Sequence, residues 1–246
     1  MASNPILAQP RSSSLNSPAP LNFGSLNARS AVHKGPLIRD LIESNELDVL
    51  AICETWIKSD DPNAIKFDMA PPGYVTKHFH CSAPGRIGRN SGLALIYRDC
   101  LSARIHPLQT SSSIGTSTFH FQSLRLTCSN ASFTIVNIYR WPDSNINEFY
   151  NDFTDLLSAL TTSTGNERLI MCGDFNCRGD SPSTINNDLI DILDSFSLKQ
   201  LVSTPTHIGP TGDSLLDLVI TGTQSSPIDK VEVRSTHGLS DHNLVT

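Results

Sequence analysis

Leu169-Ile170-Met171-Cys172-Gly173-Asp174-Phe175-Asn176 is the stretch on which the fold turns. Four apolar residues follow Arg168, the pattern of a short strand buried on both faces, and Gly173 predicts a backbone turn where that strand ends. Asp174 and Asn176 then stand at the strand's C-terminal mouth. Side chains two apart on an extended backbone point the same way, so a carboxylate and a carboxamide address one point in space while Phe175 packs behind them.

The flanking segments alternate between the two periodicities. Upstream, 119–128 and 133–139 (FTIVNIY) read as strands joined by a turn at 129–132, and 146–160 sets Phe149, Phe153, Leu156, Leu157 and Leu160 on one helical stripe behind the cap candidate Asn145. Downstream, 185–201 reads as a helix with Asp188, Asp191 and Asp194 on a solvated face. Next, 215–221 (LLDLVIT) reads as a strand carrying one acid, Asp217. Nearer the start, 21–27 is a strand ending at Asn27. An amphipathic helix over 34–45 presents Leu37, Ile38, Leu41 and Ile42, and a buried strand over 47–53 runs directly into Glu54-Thr55-Trp56. The weakly periodic 57–90 is expected to be mostly loop, and 92–98 returns to strand. A short strand near 231–233 precedes Ser240-Asp241-His242, and 243–245 begins another. Residues 1–20, rich in Ser, Pro, Ala and Asn, are expected to form a disordered leader before one domain over 21–246. Many strands, three helices between them and no Gly-rich phosphate loop point to an α/β protein.

At 246 residues and 38% hydrophobic, the chain supports one sizeable core. A formal charge of -6 excludes a global basic field, so any polyanion site must be local. One local basic stretch stands out between Gly73 and His106, where Lys77, Arg86, Arg89, Arg98 and Arg104 face only Asp99. Six cysteines show no C-x-x-C pair and no zinc spacing. No run approaches the length of a membrane span, and the start lacks the layout of a secretory signal, so a soluble protein in a reducing, intracellular compartment is expected.

Five strand ends carry isolated polar residues: Asn27, Glu54, Tyr139, the Asp174/Asn176 pair, and Asp217 with the late Asp241-His242. A carboxylate that closes a buried strand costs free energy unless it is paired or binds a cation. Repetition at successive strand mouths therefore argues for one shared site. The residue types match phosphodiester hydrolysis, which needs a hard cation, a group to take a proton from water or orient it, and a donor facing the phosphoryl oxygens. Oxygen ligands without a Cys or His cluster point to Mg²⁺ or Mn²⁺. Glu54 is the candidate metal ligand, Asp174 the candidate for the water, and His242 the candidate cation facing the phosphate.

Taken in order, SLNARS (Asn27), ETW (Glu54), NIYRWP (Tyr139), GDFN (Asp174, Asn176), LLDLVI (Asp217) and SDH (Asp241, His242) resemble the endonuclease/exonuclease/phosphatase superfamily. Within it the chain is most similar to the apurinic-type endonuclease domain of non-LTR (LINE) retrotransposons. The resemblance implies a four-layer α/β sandwich, two mixed β-sheets packed face to face with helices outside. It also implies a Mg²⁺-dependent endonuclease that nicks target DNA and leaves a 3′-hydroxyl for priming, fused to or acting with a reverse transcriptase, in the nucleus when genomic DNA is the target. By the same resemblance Glu54 would be the principal metal ligand, supported by Asn27 and with Asp241 near it. Asp174 would activate or orient the nucleophilic water. Asn176 and Tyr139 would contact the scissile phosphate, and Asp217 would pair with His242, whose imidazolium stabilises the transition state. Arg89 and Thr206 are the candidate DNA contacts.

The sequence also departs from the pattern. Arg29 stands where apurinic endonucleases carry a second acid, Arg89-Asn90-Ser91 stands where related elements show a run of Gly, and the chain ends four residues after His242, so the last strand is expected to be cut short. Two other readings stay open at this level: a phosphatase or phosphodiesterase of the same superfamily acting on a small molecule or lipid, and a catalytically silent relic that only binds nucleic acid.

Overall fold

Two six-stranded sheets form the molecule, and a parallel pair lies inside each. The computed structural model describes residues 21–80, 91–110, 116–128, 131–164, 168–224 and 226–246, so the leader expected over 1–20 lies outside the described residues. The strands of the first sheet are β1 (Phe23–Asn27), β2 (Val49–Cys53), β3 (Tyr74–Phe79), β4 (Leu93–Arg98), β11 (Val233–Arg234) and β12 (Leu244–Val245), in the order β11-β12-β1-β2-β4-β3. The second sheet holds β5 (Ser102–Thr110), β6 (Phe119–Cys128), β7 (Ala131–Arg140), β8 (Leu169–Asp174), β9 (Leu198–Gln200) and β10 (Asp217–Gly222), in the order β5-β6-β7-β8-β10-β9. Four helices complete the described chain: α1 (Gly35–Ser44), α2 (Asn63–Phe67), α3 (Ile146–Thr164) and α4 (Asn187–Ser195).

β1 and β2 run parallel with α1 between them, and β7 and β8 run parallel with α3 between them. A parallel pair needs such a crossover, and the crossover helix covers the sheet's outer face. Strict alternation along β2 shows the layering. Leu50 and Ile52 pack outward with Ile38 and Ile42 of α1, while Val49 and Ala51 face the second sheet. Phe149 and Phe153 of α3 pack edge-on against Phe175, just after the quoted strand. This is the four-layer α/β sandwich expected, with one separate core under α1 and a larger one shared by the sheets, α3 and α4.

Asn145 caps α3 as its sequence predicts, its Oδ1 accepting from the backbone of Asn147 and Glu148. Several boundaries differ. α4 stops at Ser195 instead of running to 201, because Ser197 turns into the left-handed region (φ +54°) and Leu198 enters the sheet as β9. Leu37 is exposed, so the buried face of α1 is Gly35, Ile38 and Ile42. α2 and β3 occupy what reads as loop, and β5 forms where the sequence pattern predicts no strand. β3 and β5 are edge strands, where burial on fewer sides leaves a weaker pattern. Gly173 does not turn the chain. It lies inside β8 at φ +122°, where a Cβ would stand 2.0 Å from the Ile138 carbonyl oxygen. The glycine thus permits a close approach of two strands. Among the described residues no helix is long and apolar enough to cross a membrane.

Candidate active site

The sheet topology brings the polar strand ends to one edge. Parallel strands β1, β2, β7 and β8 deliver their C-terminal ends, Asn27, Glu54, Tyr139 and Asp174, to the same side of their sheets. β10 runs antiparallel to β8, and β12 antiparallel to β1, so both present their N-terminal ends there. Asp217 stands opposite Asp174, and His242 precedes β12.

Asn27 links the two sheets. Its buried carboxamide Nδ2 donates to Glu54 Oε1 at 2.9 Å and to Asp174 Oδ2 at 2.8 Å, and its Oδ1 accepts from the Arg29 backbone N–H at 2.9 Å. Trp56 Nε1 donates to Glu54 Oε2 at 3.1 Å, and the Tyr139 phenol lies close enough to the same carboxylate to feel its charge. Cys53, Leu93, Tyr139 and Trp141 form a small apolar cluster at this edge. Arg29, Ser30, Glu54, Trp56 and Asn176 all hold positive φ without being glycine, a concentration of backbone strain of the kind that gathers at functional sites.

Asp174 receives the Asn176 backbone N–H on Oδ1 at 2.9 Å. Asn176 donates from Nδ2 to the Arg140 carbonyl at 2.7 Å, and Arg140 returns a bond from Nη1 to the Asn176 carbonyl at 3.0 Å. His242 Nδ1 lies 2.7 Å from Asp217 Oδ2. Ser240 Oγ donates to the Asn27 carbonyl at 2.7 Å, tying the His242 segment to β1.

Electrostatics set these groups apart. Burial, and then the charge of Asp217, push the Asp174 carboxyl up to about 7, against the stabilising bonds from Asn27 and Asn176. Burial opposes charge on His242, yet the adjacent Asp217 carboxylate outweighs it and holds the imidazole at about 9. His242 is thus a cation at neutral pH beside an acid poised near neutrality. Burial, then Glu54 and Asp174, raise the Tyr139 phenol, which stays protonated and serves as a donor.

Not every expected role fits its place. Thr206 is fully buried, and its Oγ1 accepts from the backbone N–H groups of Leu216 at 3.1 Å and Asp217 at 2.9 Å. Its hydroxyl is thus engaged inside the fold. It fixes the start of β10. Asp241, expected near the metal, is ion-paired with Arg29 and lies 3.7 Å from His207 Nε2. Burial opposes its charge, but Arg29 and His242 hold its carboxyl below the usual range. Arg89 and Arg86 lie outside the described residues. The expected basic surface does not assemble at this edge from Arg98, which pairs with Asp48 at the opposite end of β4. Arg140, Trp56 and His207 are not singled out by the sequence. Arg140 alone carries a signal there, a charge directly following an apolar strand end.

A hard cation fits this donor set. Glu54, Asp174 and the Asn27 carbonyl oxygen offer only oxygen ligands, and one amide nitrogen already reaches both carboxylates. Buried negative charge from Asp174 and Asp217 is what a divalent ion would offset.

The family model described as "Endonuclease-reverse transcriptase" matches residues 133–246, which carry Tyr139, Asp174, Asn176, Asp217 and His242. Over those residues the chain is similar to that family, and its fold supports the endonuclease/exonuclease/phosphatase superfamily. Its fold matches the endonuclease domain of TRAS1, a telomere-specific non-LTR retrotransposon, with a TM-score of 0.66 at 17% identity, covering 92% of this chain and 96% of that one. It matches the AP endonuclease LMAP from Leishmania major with a TM-score of 0.69 at 15% identity, covering 92% and 86%. A third match is the 3′ phosphatase NExo from Neisseria bound to product DNA hairpin, with a TM-score of 0.64 at 14% identity, covering 92% and 97%. No curated protein sequence matches the chain.

Proposed function

We propose that the chain is a Mg²⁺-dependent DNA endonuclease that nicks one strand and leaves a 3′-hydroxyl for priming by a reverse transcriptase. The observation that carries this reading is the meeting, at one sheet edge, of an acid held near neutrality with a histidine held protonated. The family model's description and the likeness to a retrotransposon endonuclease support DNA as the substrate and a reverse transcriptase as the associated activity. Genomic DNA as target makes the nucleus the place of action.

The roles follow from position. Asp174, when ionised, takes a proton from water or orients it for attack on phosphorus, and the Asn176 backbone N–H steadies the carboxylate meanwhile. Asp217 holds the His242 ring by Nδ1, which leaves Nε2 as the nitrogen to donate to a phosphoryl oxygen. Tyr139 donates at the same edge. Glu54 with Asn27 would hold Mg²⁺, which would supply Lewis-acid stabilisation of the charge that develops on the phosphate. Water oxygen bonds to phosphorus as its proton passes to Asp174, the bond to the 3′ oxygen breaks, and the departing alkoxide takes a proton from solvent to become the 3′-hydroxyl.

The test is conversion of supercoiled plasmid to nicked circle by the purified chain in Mg²⁺, with Asp174→Ala and His242→Ala alongside. Nicking that EDTA and both substitutions abolish, at ends that a polymerase extends, is expected. Plasmid left supercoiled, or variants as active as the parent, would overturn the reading. Hydrolysis of a soluble phosphoester alone would move the assignment to a phosphatase.

A further inference from the structure

His207 and His242 face each other across an isolated antiparallel bridge, with ring centroids 4.7 Å apart. Their backbones are tied together on both sides of the pair. The Asn243 N–H donates to the Thr206 carbonyl at 2.7 Å, and the Ile208 N–H donates to the Asp241 carbonyl at 2.8 Å. Residues directly opposite in such a pair project on one face, so the two imidazoles lie side by side, and the Asp241 carboxylate reaches to 3.7 Å from His207 Nε2. One ligand atom from each of His207, Asp241 and His242 lies within 4.8 Å of the other two. Behind His242 stands Asp217, 2.7 Å from Nδ1.

We propose that His207, Asp241 and His242 form a binding site for a zinc-type divalent cation, and that its occupancy switches the hydrolytic site off. Two imidazoles and one carboxylate are the ligand types that borderline-soft ions prefer, and Mg²⁺, which prefers oxygen, is a poor match for them. A carboxylate hydrogen-bonded to the far nitrogen of a ligating histidine is a recurring support of zinc sites, and Asp217 has that position. The backbone ties hold the ligands in place before any ion arrives. Arg29, the present partner of Asp241, is 61% exposed at its side chain, so it can swing into solvent at small cost. A cation on Nε2 of His242 displaces the proton there to solvent and so removes the donor that the phosphate needs. Inhibition therefore rests on the nuclease reading above, whereas binding does not.

Zn²⁺ titration by calorimetry and Co²⁺ titration by visible absorption, both on the full chain, test the site. One equivalent is expected to bind the parent, with the intense bands of tetrahedral Co²⁺. His207→Gln is expected to bind about tenfold more weakly or worse, and to keep nicking plasmid in Mg²⁺ at Zn²⁺ levels that stop the parent. His207→Cys restores a zinc ligand and is expected to recover binding, which separates lost ligation from a disturbed fold. A parent that binds no Zn²⁺, or a His207→Gln variant that binds as well as the parent, would overturn the site. Parent nicking that persists with one zinc bound would overturn the switch. If no form nicks DNA yet His207→Gln alone loses the cobalt spectrum, the binding site stands and the nuclease assignment falls.

Discussion

Arg140 and Asn176 hold one another by two reciprocal side-chain-to-backbone bonds, Arg140 Nη1 to the Asn176 carbonyl at 3.0 Å and Asn176 Nδ2 to the Arg140 carbonyl at 2.7 Å. Arg140 is buried, its second amino group donates to the Ser144 carbonyl at 2.7 Å, and its guanidinium lies over the Phe149 ring, 5.2 Å from the centroid. The clamp keeps Asn176 in its left-handed conformation (φ +49°), and that conformation aims the Asn176 N–H at Asp174.

Arg140→Lys keeps the charge and loses the planar fork, so it cannot serve both carbonyls at once. Loss of roughly 10 to 100-fold in kcat with little change in KM is expected, since the substitution blurs the geometry of Asp174 without removing it. Melting temperature falls less for Lys than for Arg140→Met, which strands two half-buried carbonyls at about 1 kcal/mol each. Steady-state nicking kinetics and thermal melts on the same preparations check both statements.

Asp217→Asn removes the charge that holds the His242 proton while keeping a hydrogen-bonding group of the same shape. The parent's His242 is charged below about 9, so activity is expected to fall as pH rises through that value. In the variant the same alkaline limb moves down towards the ordinary histidine value of about 6.5. At mildly alkaline pH the loss is expected to be on the order of 100-fold. Nicking rates across the pH range decide it, and an unmoved alkaline limb would separate Asp217 from the role of His242.

The site was more legible in the sequence than the fold's margins. Asp174, Asp217 and Glu54 follow apolar runs or interrupt them, and a buried acid is a conspicuous signal because its cost demands a compensating partner. The central strands announced themselves for the same reason, as two-sided burial leaves continuous apolar runs in β2 and β8. Edge strands β3 and β5 did not, since a sequence holding Lys77, His78 or Pro107 suits an exposed edge as well as a loop. The surroundings of Thr206 and Asp241 could not be read from spacing alone. A threonine that caps two N–H groups inside the fold and one that greets a phosphate look the same in a string of letters. The partner that claims Asp241 is Arg29, 212 positions away. Pairing at that range is a property of topology, and only the strand order delivers it.

Gly173→Ala is expected to cost both stability and activity. A Cβ there would meet the Ile138 carbonyl oxygen at 2.0 Å and its amide nitrogen at 2.9 Å, and φ of +122° is closed to L side chains. Relief requires parting β7 from β8 next to Asp174. A loss of about 3 kcal/mol or more follows from backbone strain of this kind, a drop of roughly 10 °C in melting temperature for a domain of this size. Gly73→Ala, at φ +81° with open space around the added Cβ, is the comparison that carries the backbone strain without the clash. The prediction fails if Gly173→Ala melts with the parent.

His120 makes the fold acid-sensitive from within. It lies buried on β6 opposite Tyr139, with Nδ1 lacking a hydrogen-bond partner, and burial, reinforced by His80, pushes its imidazole down to about 4. The unfolded chain titrates this group near the ordinary 6.5, so between the two values the unfolded state binds more protons than the folded one. Stability that is complete above 6.5 is therefore lost progressively as pH falls towards 4, by about 3 kcal/mol in total from this residue. His120→Phe keeps the volume and removes the titration. Its melting temperature is expected to fall less steeply than the parent's over that window, while the two converge in slope above it. Parallel melting curves for parent and variant across the whole range would show that acid sensitivity arises elsewhere.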